Sequence, residues 1–225
     1  MSNYIEVIAV VEGKTEQIFI EKVLAPYLGH KSIGIRATQV SKPGSKGGDV
    51  KFSRVGRDLG NHLKQRPDTF VTTFIDYYGT KEWPGLEQLD SSLAPSAIAD
   101  RLNTAAKAAM IELLPSHNVE RRYIPFVAVH EFEALLFSDA VILADELEID
   151  RQQVQDIVEA CGGPESINNS PQTAPSKRLQ GLNPRFKKTT TGIAIADRIG
   201  IEQMRQACPL FDDWLNTFEL LQARQ

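Results

Sequence analysis

Acidic residues stand at three points of the sequence where an apolar run stops. Glu12 follows the run YIEVIAVV, Asp76 ends TFVTTFID, and Glu131 ends YIPFVAVHE. Runs of this kind are typical of buried strands, and the carboxyl ends of parallel strands meet at one edge of a sheet. Mg²⁺ and Mn²⁺ prefer oxygen ligands, and a pair of such ions can clamp the attacking and leaving oxygens of a phosphodiester. The pattern therefore predicts a metal site suited to phosphodiester chemistry.

The segment VEGKTE allows two interpretations. Its Gly-Lys-Thr triplet matches the end of a phosphate loop, but the full motif G-x-x-x-x-G-K-S/T needs a glycine where Ile8 stands, inside the predicted strand. We therefore expect no nucleotide loop here. Glu12 at a strand tip and Glu16 in the first helical turn, joined by a sharp turn at Gly13, would instead bring two carboxylates to one point. Alternatively, Glu16 is simply an acidic residue that the helix dipole favours at a helix start.

Strands and helices alternate through the first 130 residues, which predicts an α/β fold with a mainly parallel central sheet flanked by helices. Apolar periodicity and Gly/Pro signals supply the boundaries. We expect strands at 4–11, 33–40, 69–76 and 123–131, and helices from 15 to about 29, up to about 65, and near 97–114.

After residue 131 the pattern becomes helical. Residues 162–190 interrupt it with a polar, Pro- and Gly-rich stretch that we expect to be a long irregular connection. The predicted organisation is an α/β core at 1–137 and a mainly helical C-terminal extension at 138–225 that packs on the core.

Two basic clusters stand out in a chain whose net charge is -4. An acidic protein is not expected to bind nucleic acid over a wide surface, so any such contact must be local. Phosphate contacts are the natural role of these clusters, and solvated loops or helix faces are the alternative. Lys187 or Arg178 could also stabilise negative charge that develops on a phosphate. The predicted nucleic-acid-binding residues are Lys42, Lys46, Lys51, Arg54, Lys177, Arg178, Lys187 and Lys188.

The rest of the composition indicates a cytoplasmic protein. The first residues carry no basic leader, and no segment approaches the ~20 apolar residues of a membrane span. Cys161 and Cys208 lie far apart in no metal-ligand spacing, which is typical of reduced thiols.

The arrangement strand-E-G-x-x-E-helix, followed one βα unit later by an aspartate at a strand end, resembles the Toprim fold. Glu12, Gly13 and Glu16 in VEGKTE and Asp76 in FIDYYG carry this resemblance. Toprim is the Rossmann-like catalytic module of topoisomerases, bacterial primases and the overcoming-lysogenization-defect (OLD) nucleases. The chain is also similar to an uncharacterised bacterial Toprim-like family through HEFEALLF, the stretch from SKRL to KKTTTGIAIA, and CPLFDDWL.

The resemblance implies a divalent-metal-dependent nuclease, as in the OLD and ribonuclease-M5-like branches. It also implies an effector of a phage-defence module that works with an ABC-type ATPase partner. Its substrate would be DNA, tRNA or another RNA, its cofactor Mg²⁺ or Mn²⁺, and a homodimer is one assembly open to it. The implied catalytic residues are Glu12, Glu16, Asp76 and the charge-stabilising Lys187.

The chain departs from the Toprim pattern at one metal position. Toprim proteins usually carry D-x-D, whereas this chain reads Asp76-Tyr77-Tyr78. Glu131 or Glu133 could fill the gap: if their segment is helical only one of them should face the site, and if it is extended both can. We expect Glu131, the nearer to the strand end. The candidate metal ligands are Glu12, Glu16, Asp76, Glu131 and Glu133, with Glu131 preferred to Glu133.

The missing aspartate also leaves a second function open, that of a catalytically silent module that docks on an ATPase. Leu210, Trp214, Leu215 and Phe218 form an apolar stripe that is either a partner surface or part of the protein's own core.

Overall fold

The computed structural model describes residues 4–42, 45–46, 50–77, 80, 82–90, 93–129, 131–167 and 173–224. Parallel strands form the central sheet in the order β2-β1-β5-β6, and β7 also pairs with β5; β3 and β4 form a separate hairpin. The strands are β1 (Ile5–Val11), β2 (Ile33–Gln39), β3 (Ser41–Lys42), β4 (Ser45–Lys46), β5 (Phe70–Asp76), β6 (Tyr123–Ile124) and β7 (Val127–Ala128).

Both faces of the central strands β1 and β5 are buried, as their near-continuous apolar runs predict, whereas the edge strand β2 is partly exposed. Along β1, Val7 and Val11 pack into one hydrophobic cluster, and Ile8 and Val10 into a second. Because successive strand residues point to opposite faces, the two clusters lie on the two sides of the sheet. Ile8 pairs with both neighbouring strands, which confirms that no phosphate loop can form there.

Helices cover both faces, and the predicted α/β architecture is confirmed. The α-helices are α1 (Lys14–Phe19), α2 (Ala25–Gly29), α3 (Phe52–Gln65), α4 (Pro95–Leu113), α5 (Val119–Arg122), α6 (Ala140–Leu147), α7 (Arg151–Cys161), α8 (Pro175–Leu182), α9 (Ile193–Ile199), α10 (Ile201–Ala207) and α11 (Pro209–Ala223). Two π-helical turns, Ile20–Leu24 and Lys188–Gly192, lead into α2 and α9, and 3₁₀ helices span Leu86–Gln88, Phe132–Ser138 and Pro164–Ser166.

Two sequence-based expectations about these elements are wrong. The strand expected at 123–131 is split into β6 and β7, since Pro125 between them has no backbone N–H to give to a ladder. The connection expected at 162–190 contains helix α8, and Pro175 at its first position suits a helix start. Glu131 therefore lies beyond the sheet rather than on a strand.

The C-terminal helices pack against one face of the sheet. Trp214, Leu215 and Phe218 of α11 are almost fully buried in the same cluster as Val7 and Phe74. The apolar stripe of α11 therefore belongs to the protein's own core and is not a partner surface. The domain boundary after residue 137 stays a prediction.

In the part of the chain that the structure describes, no helix combines the length and the apolar character that crossing a membrane requires.

Candidate functional site

The carboxyl edge of the sheet gathers the acidic residues that end the apolar runs. Glu12 directly follows β1, and Asp76 is the last residue of β5. These two strands are parallel neighbours, paired through Val11 and Phe74, so both carboxylates emerge at the same edge. Burial and the negative charges of four glutamates all raise the pKa of Asp76. Asp76 therefore lies at the centre of a group of carboxyl groups that we call the acidic cluster: Glu12, Glu16, Asp76, Glu131 and Glu133.

The turn after β1 holds Glu16 in a defined place. The Gly13 backbone N–H donates to Glu16 Oε2 at 2.9 Å, and α1 begins at the next residue. The predicted bend between β1 and α1 is present at Glu12 and Gly13, but Gly13 is extended at φ -150°, a conformation open to any residue, so the bend does not require glycine's conformational freedom. The missing side chain of Gly13 instead lets the Glu16 carboxylate approach the backbone closely, because a Cβ at this position would lie 3.3 Å from Glu16 Oε2. Glu16 is thus both a helix-start carboxylate and a buried member of the cluster.

Glu131 and Glu133 both face the site, so the preferred residue Glu131 is joined there by Glu133. Glu131 is extended and precedes the 3₁₀ helix Phe132–Ser138, which carries Glu133 in its first turn. The change of backbone conformation between them lets both side chains reach Lys188, whose Nζ lies 3.4 Å from Glu131 Oε1 and 2.9 Å from Glu133 Oε1. The Ser176 backbone N–H at the start of α8 also donates to Glu131 Oε2, at 2.8 Å.

Burial and mutual repulsion disfavour the charged forms of these carboxyl groups. Burial, then repulsion from Glu16, raises the pKa of Glu12 to about 7. Burial also raises the pKa of Glu133 to about 7, although the positive charge of Lys188 opposes the shift. The pKa of Asp76 is raised well above its ordinary value by burial and by the charges of Glu16 and Glu12. Such shifts are concentrated at functional sites, where strained electrostatics are retained for chemistry.

Oxygen atoms in the cluster are left without partners. Asp76 Oδ1 and Glu133 Oε2 are buried and accept no hydrogen bond. Buried polar atoms are almost always paired, so these oxygens are available to a ligand that brings positive charge. The donor chemistry, all carboxylate oxygen, fits Mg²⁺ or Mn²⁺.

The carboxyl groups of the acidic cluster do not converge on a single point. No group of three or more His, Cys, Asp or Glu residues among those described is arranged to hold a metal ion. Contacts within the protein account for this arrangement: the Gly13 N–H holds Glu16, while Lys188 holds Glu131 and Glu133. The ligand chemistry fits a divalent cation, and side-chain movement would be needed to complete its coordination.

The predicted basic residues occupy varied positions. Lys51 pairs with Glu82 at 3.7 Å, and Arg178 donates from Nε to the Thr173 carbonyl at 2.9 Å. Lys177 and Lys187 are exposed, and Arg54 is half-buried on α3. The side chains of Lys42 and Lys46 lie outside the described residues, as do His130 and Tyr78. The nucleic-acid-binding roles of these basic residues stay predictions.

Lys188 is the functional residue whose place sequence reasoning misses. The sequence puts it among the predicted nucleic-acid-binding lysines and favours Lys187 beside the phosphate, yet Lys188 is the lysine that contacts the cluster. It lies 57 residues from Glu131 in sequence, so no local spacing could reveal the contact. The only signal is the run KKTTTG, which does not distinguish one lysine from its neighbour.

The fold and site define an α/β protein with a buried carboxylate cluster at the carboxyl edge of a parallel sheet. Residues 11–219 match the family model described as "Domain of unknown function (DUF4276)", and the chain belongs to that family. Comparison with the curated proteins and with the solved structures found no match.

Proposed function

We propose that this protein is a divalent-metal-dependent nuclease of Toprim type that cleaves phosphodiester bonds in nucleic acid. The observation that carries the proposal is the buried acidic cluster with its unpaired oxygens on Asp76 and Glu133. Folding brings these like charges together, which destabilises the folded state, and a purely structural role would not offset that destabilisation. The resemblance of VEGKTE and FIDYYG to Toprim motifs agrees with this chemistry.

Glu12, Glu16 and Asp76 would hold the ion, because they come from neighbouring elements and form no ion pair within the described part of the chain. Mg²⁺ or Mn²⁺ would polarise the scissile phosphate and lower the pKa of a bound water. Lys188, held by Glu131 and Glu133, brings positive charge to the site and can stabilise an anionic phosphate oxygen. In the metal-free protein the pKa of Glu12 is raised to about 7, so near neutral pH the ion would compete with a proton for this carboxyl group.

A groove beside the cluster offers a path for a nucleic-acid strand. Lys14 and Lys22 line it on one side and Thr189 and Thr190 on the other, together with the acidic residues Glu21 and Asp197. Lys14 follows Gly13 in the sequence and Thr189 follows Lys188, so both sides of the groove begin next to residues of the site. Lysine and threonine side chains are donors to phosphate oxygens. Because two acidic residues balance the two lysines, the groove would offer local phosphate contacts rather than a basic surface.

The cellular role follows from the resemblance alone. We infer an effector of an anti-phage defence module that works with an ABC-type ATPase partner. The alternative is a catalytically silent module that docks on such an ATPase, and a cleavage assay separates it from the nuclease.

The test is cleavage by the purified protein of plasmid DNA, single-stranded DNA and tRNA, with Mn²⁺ and with EDTA. We expect cleavage of at least one substrate that needs Mn²⁺. Glu12→Gln and Asp76→Asn should each reduce its rate by about 10²-fold or more, as expected when a group that organises transition-state charge is lost. Glu112→Gln, which changes an exposed glutamate on α4, is the matched control and should keep the wild-type rate.

Equal cleavage by wild type and by Glu12→Gln would overturn the proposal, since contamination or another site would then account for the activity. Absence of cleavage of all substrates, together with stable binding of an ATPase encoded beside the protein, would favour the silent module.

A further inference from the structure

The acidic cluster is divided into two halves by its contacts. Lys188 forms ion pairs with Glu131 and Glu133, at 3.4 Å and 2.9 Å. The other half, formed by Glu12, Glu16 and Asp76, makes no ion pair with any lysine, arginine or histidine among the described residues. Lys188 therefore contacts one half directly, whereas its charge acts on the other half only at longer range.

The Lys188 contact joins a partly exposed lysine to a buried glutamate. Glu133 is only 1% exposed, so its negative charge needs a counter-charge close by. Lys188 begins the π-helical turn that ends at Gly192, which is buried. A Cβ on Gly192 would lie 3.6 Å from Leu136 of the same 3₁₀ helix that carries Glu133. Close packing of this turn against the 3₁₀ helix fixes the position of the Lys188 backbone.

A second divalent ion at Glu131 and Glu133 would have to displace the Lys188 ammonium group. The displaced charge would then be left half-buried without its partners, which disfavours the exchange. The chain also lacks the second aspartate of D-x-D, since Tyr77 and Tyr78 follow Asp76. Both observations reduce the capacity of the site for two ions.

We propose that Lys188 takes the place of a second metal ion, so that the centre holds one divalent ion, on Glu12, Glu16 and Asp76, and one permanent ammonium group on Glu131 and Glu133. This inference rests on the proposed metal site and assigns its stoichiometry. In it, Lys188 supplies fixed positive charge at the position that a second ion would occupy in a two-metal centre.

Isothermal titration of the full-length protein with MnCl₂ tests the stoichiometry directly. We expect one Mn²⁺ per chain for the wild type and two for Lys188→Met, in which the carboxylates of Glu131 and Glu133 lose their cation. Lys188→Arg keeps the positive charge and should bind one ion. Lys187→Met, the exposed neighbour, is the matched control and should also bind one. Thermal unfolding of each variant checks that it is folded.

The other possible stoichiometries would contradict either this inference or the proposed metal site. Two ions in the wild type, or one ion in both wild type and Lys188→Met, would overturn this inference and leave the proposed nuclease standing. No Mn²⁺ binding by wild type or by any variant would overturn the metal centre itself. If Lys188→Met does not fold, the stoichiometries of the wild type and of Lys188→Arg still decide: one ion in each supports the proposal, and two in either contradicts it.

Discussion

Asp76 carries its carboxyl group in a buried place, and no lysine, arginine or histidine among the described residues forms an ion pair with it. The residue is 9% exposed, Oδ1 accepts no hydrogen bond, and Glu16 and Glu12 repel its charged form. A carboxylate in such a place weakens the fold when it is ionised. Its presence at the end of β5 is therefore better explained by ligand binding than by stability.

Replacement of Asp76 by asparagine should raise stability at pH 8 while it removes function. Because the pKa of Asp76 is raised above the ordinary value of 3.8, the folded state binds more protons than the unfolded state as pH rises from that value, and stability falls. Asparagine has no ionisable carboxyl group, so the fall in stability with pH that Asp76 causes is removed. In metal-free buffer we expect Tm to rise by about 3–6 °C at pH 8, equivalent to about 1–2 kcal/mol, and by less at pH 4.5.

Circular dichroism melts at both pH values measure this effect. Asp68→Asn, at an exposed site, should change stability by no more than about 0.5 kcal/mol. A lower Tm for Asp76→Asn at pH 8 would show that the carboxylate stabilises the metal-free protein, the opposite of the expected effect.

At the scale of elements, helix α11 secures the strand that carries Asp76. Trp214 stacks on Phe126 with ring centroids 4.6 Å apart, and its Nε1 donates to Thr72 Oγ1 of β5 at 2.9 Å. At the start of the helix, Glu165 accepts from the backbone N–H groups of Leu210 and Phe211. Helix α11 is thus tied both to the sheet and to the 3₁₀ helix Pro164–Ser166.

Substitutions at Trp214 should separate its hydrogen bond from its packing. Trp214→Phe keeps an aromatic ring but loses the bond to Thr72, and we expect a loss of about 1–2 kcal/mol. Trp214→Ala also leaves a cavity and should cost about 3–5 kcal/mol. Urea unfolding gives both values. Leu220→Ala, at a 57% exposed position on the same helix, should be nearly neutral; equal losses for Trp214→Ala and Leu220→Ala would contradict the docking of α11.

At the scale of the whole molecule, two hydrophobic clusters on the faces of the sheet stabilise the fold, and the acidic cluster at its carboxyl edge destabilises it. Val7 and Ile8 show the division, since adjacent residues of β1 enter different clusters. The apolar burial stabilises the protein, while Glu12, Asp76 and Glu133 are brought together at a cost. A cation bound by the folded state alone offsets that cost.

Mn²⁺ should therefore stabilise the whole protein, and more strongly at pH 8 than at pH 5.5. Protons compete with the metal for carboxyl groups whose pKa is raised, among them Glu12 with a pKa raised to about 7. At a Mn²⁺ concentration of 100 times Kd the gain is about 2.7 kcal/mol, or roughly 5–10 °C in Tm. Differential scanning fluorimetry measures the shift. Glu12→Gln should lose most of it; an equal shift in wild type and variant, or a larger shift at pH 5.5, would argue against binding at this site.

Much of the fold and part of the candidate site could be predicted from the sequence because the signals are local. The apolar runs of β1 and β5 and the polar residues that end them are written in consecutive positions, and Glu12 and Asp76 emerge at one edge as strand order requires. The predicted element boundaries were wrong in two places. Pro125 splits the last predicted strand into β6 and β7, and helix α8 forms in a polar stretch, where tertiary packing supplies most helical stability.

The sequence by itself indicated the parallel sheet, its buried faces and the acidic edge, since near neighbours in the chain set the strand periodicity and the alternation of strands with helices favours parallel pairing. Only the tertiary structure decided that Glu131 and Glu133 both turn inward, that Lys188 rather than Lys187 reaches them, and that Trp214 belongs to the core. These contacts join residues far apart in the chain. Their choice depends on the packing of one helix against another, which the local pattern of residue types does not encode.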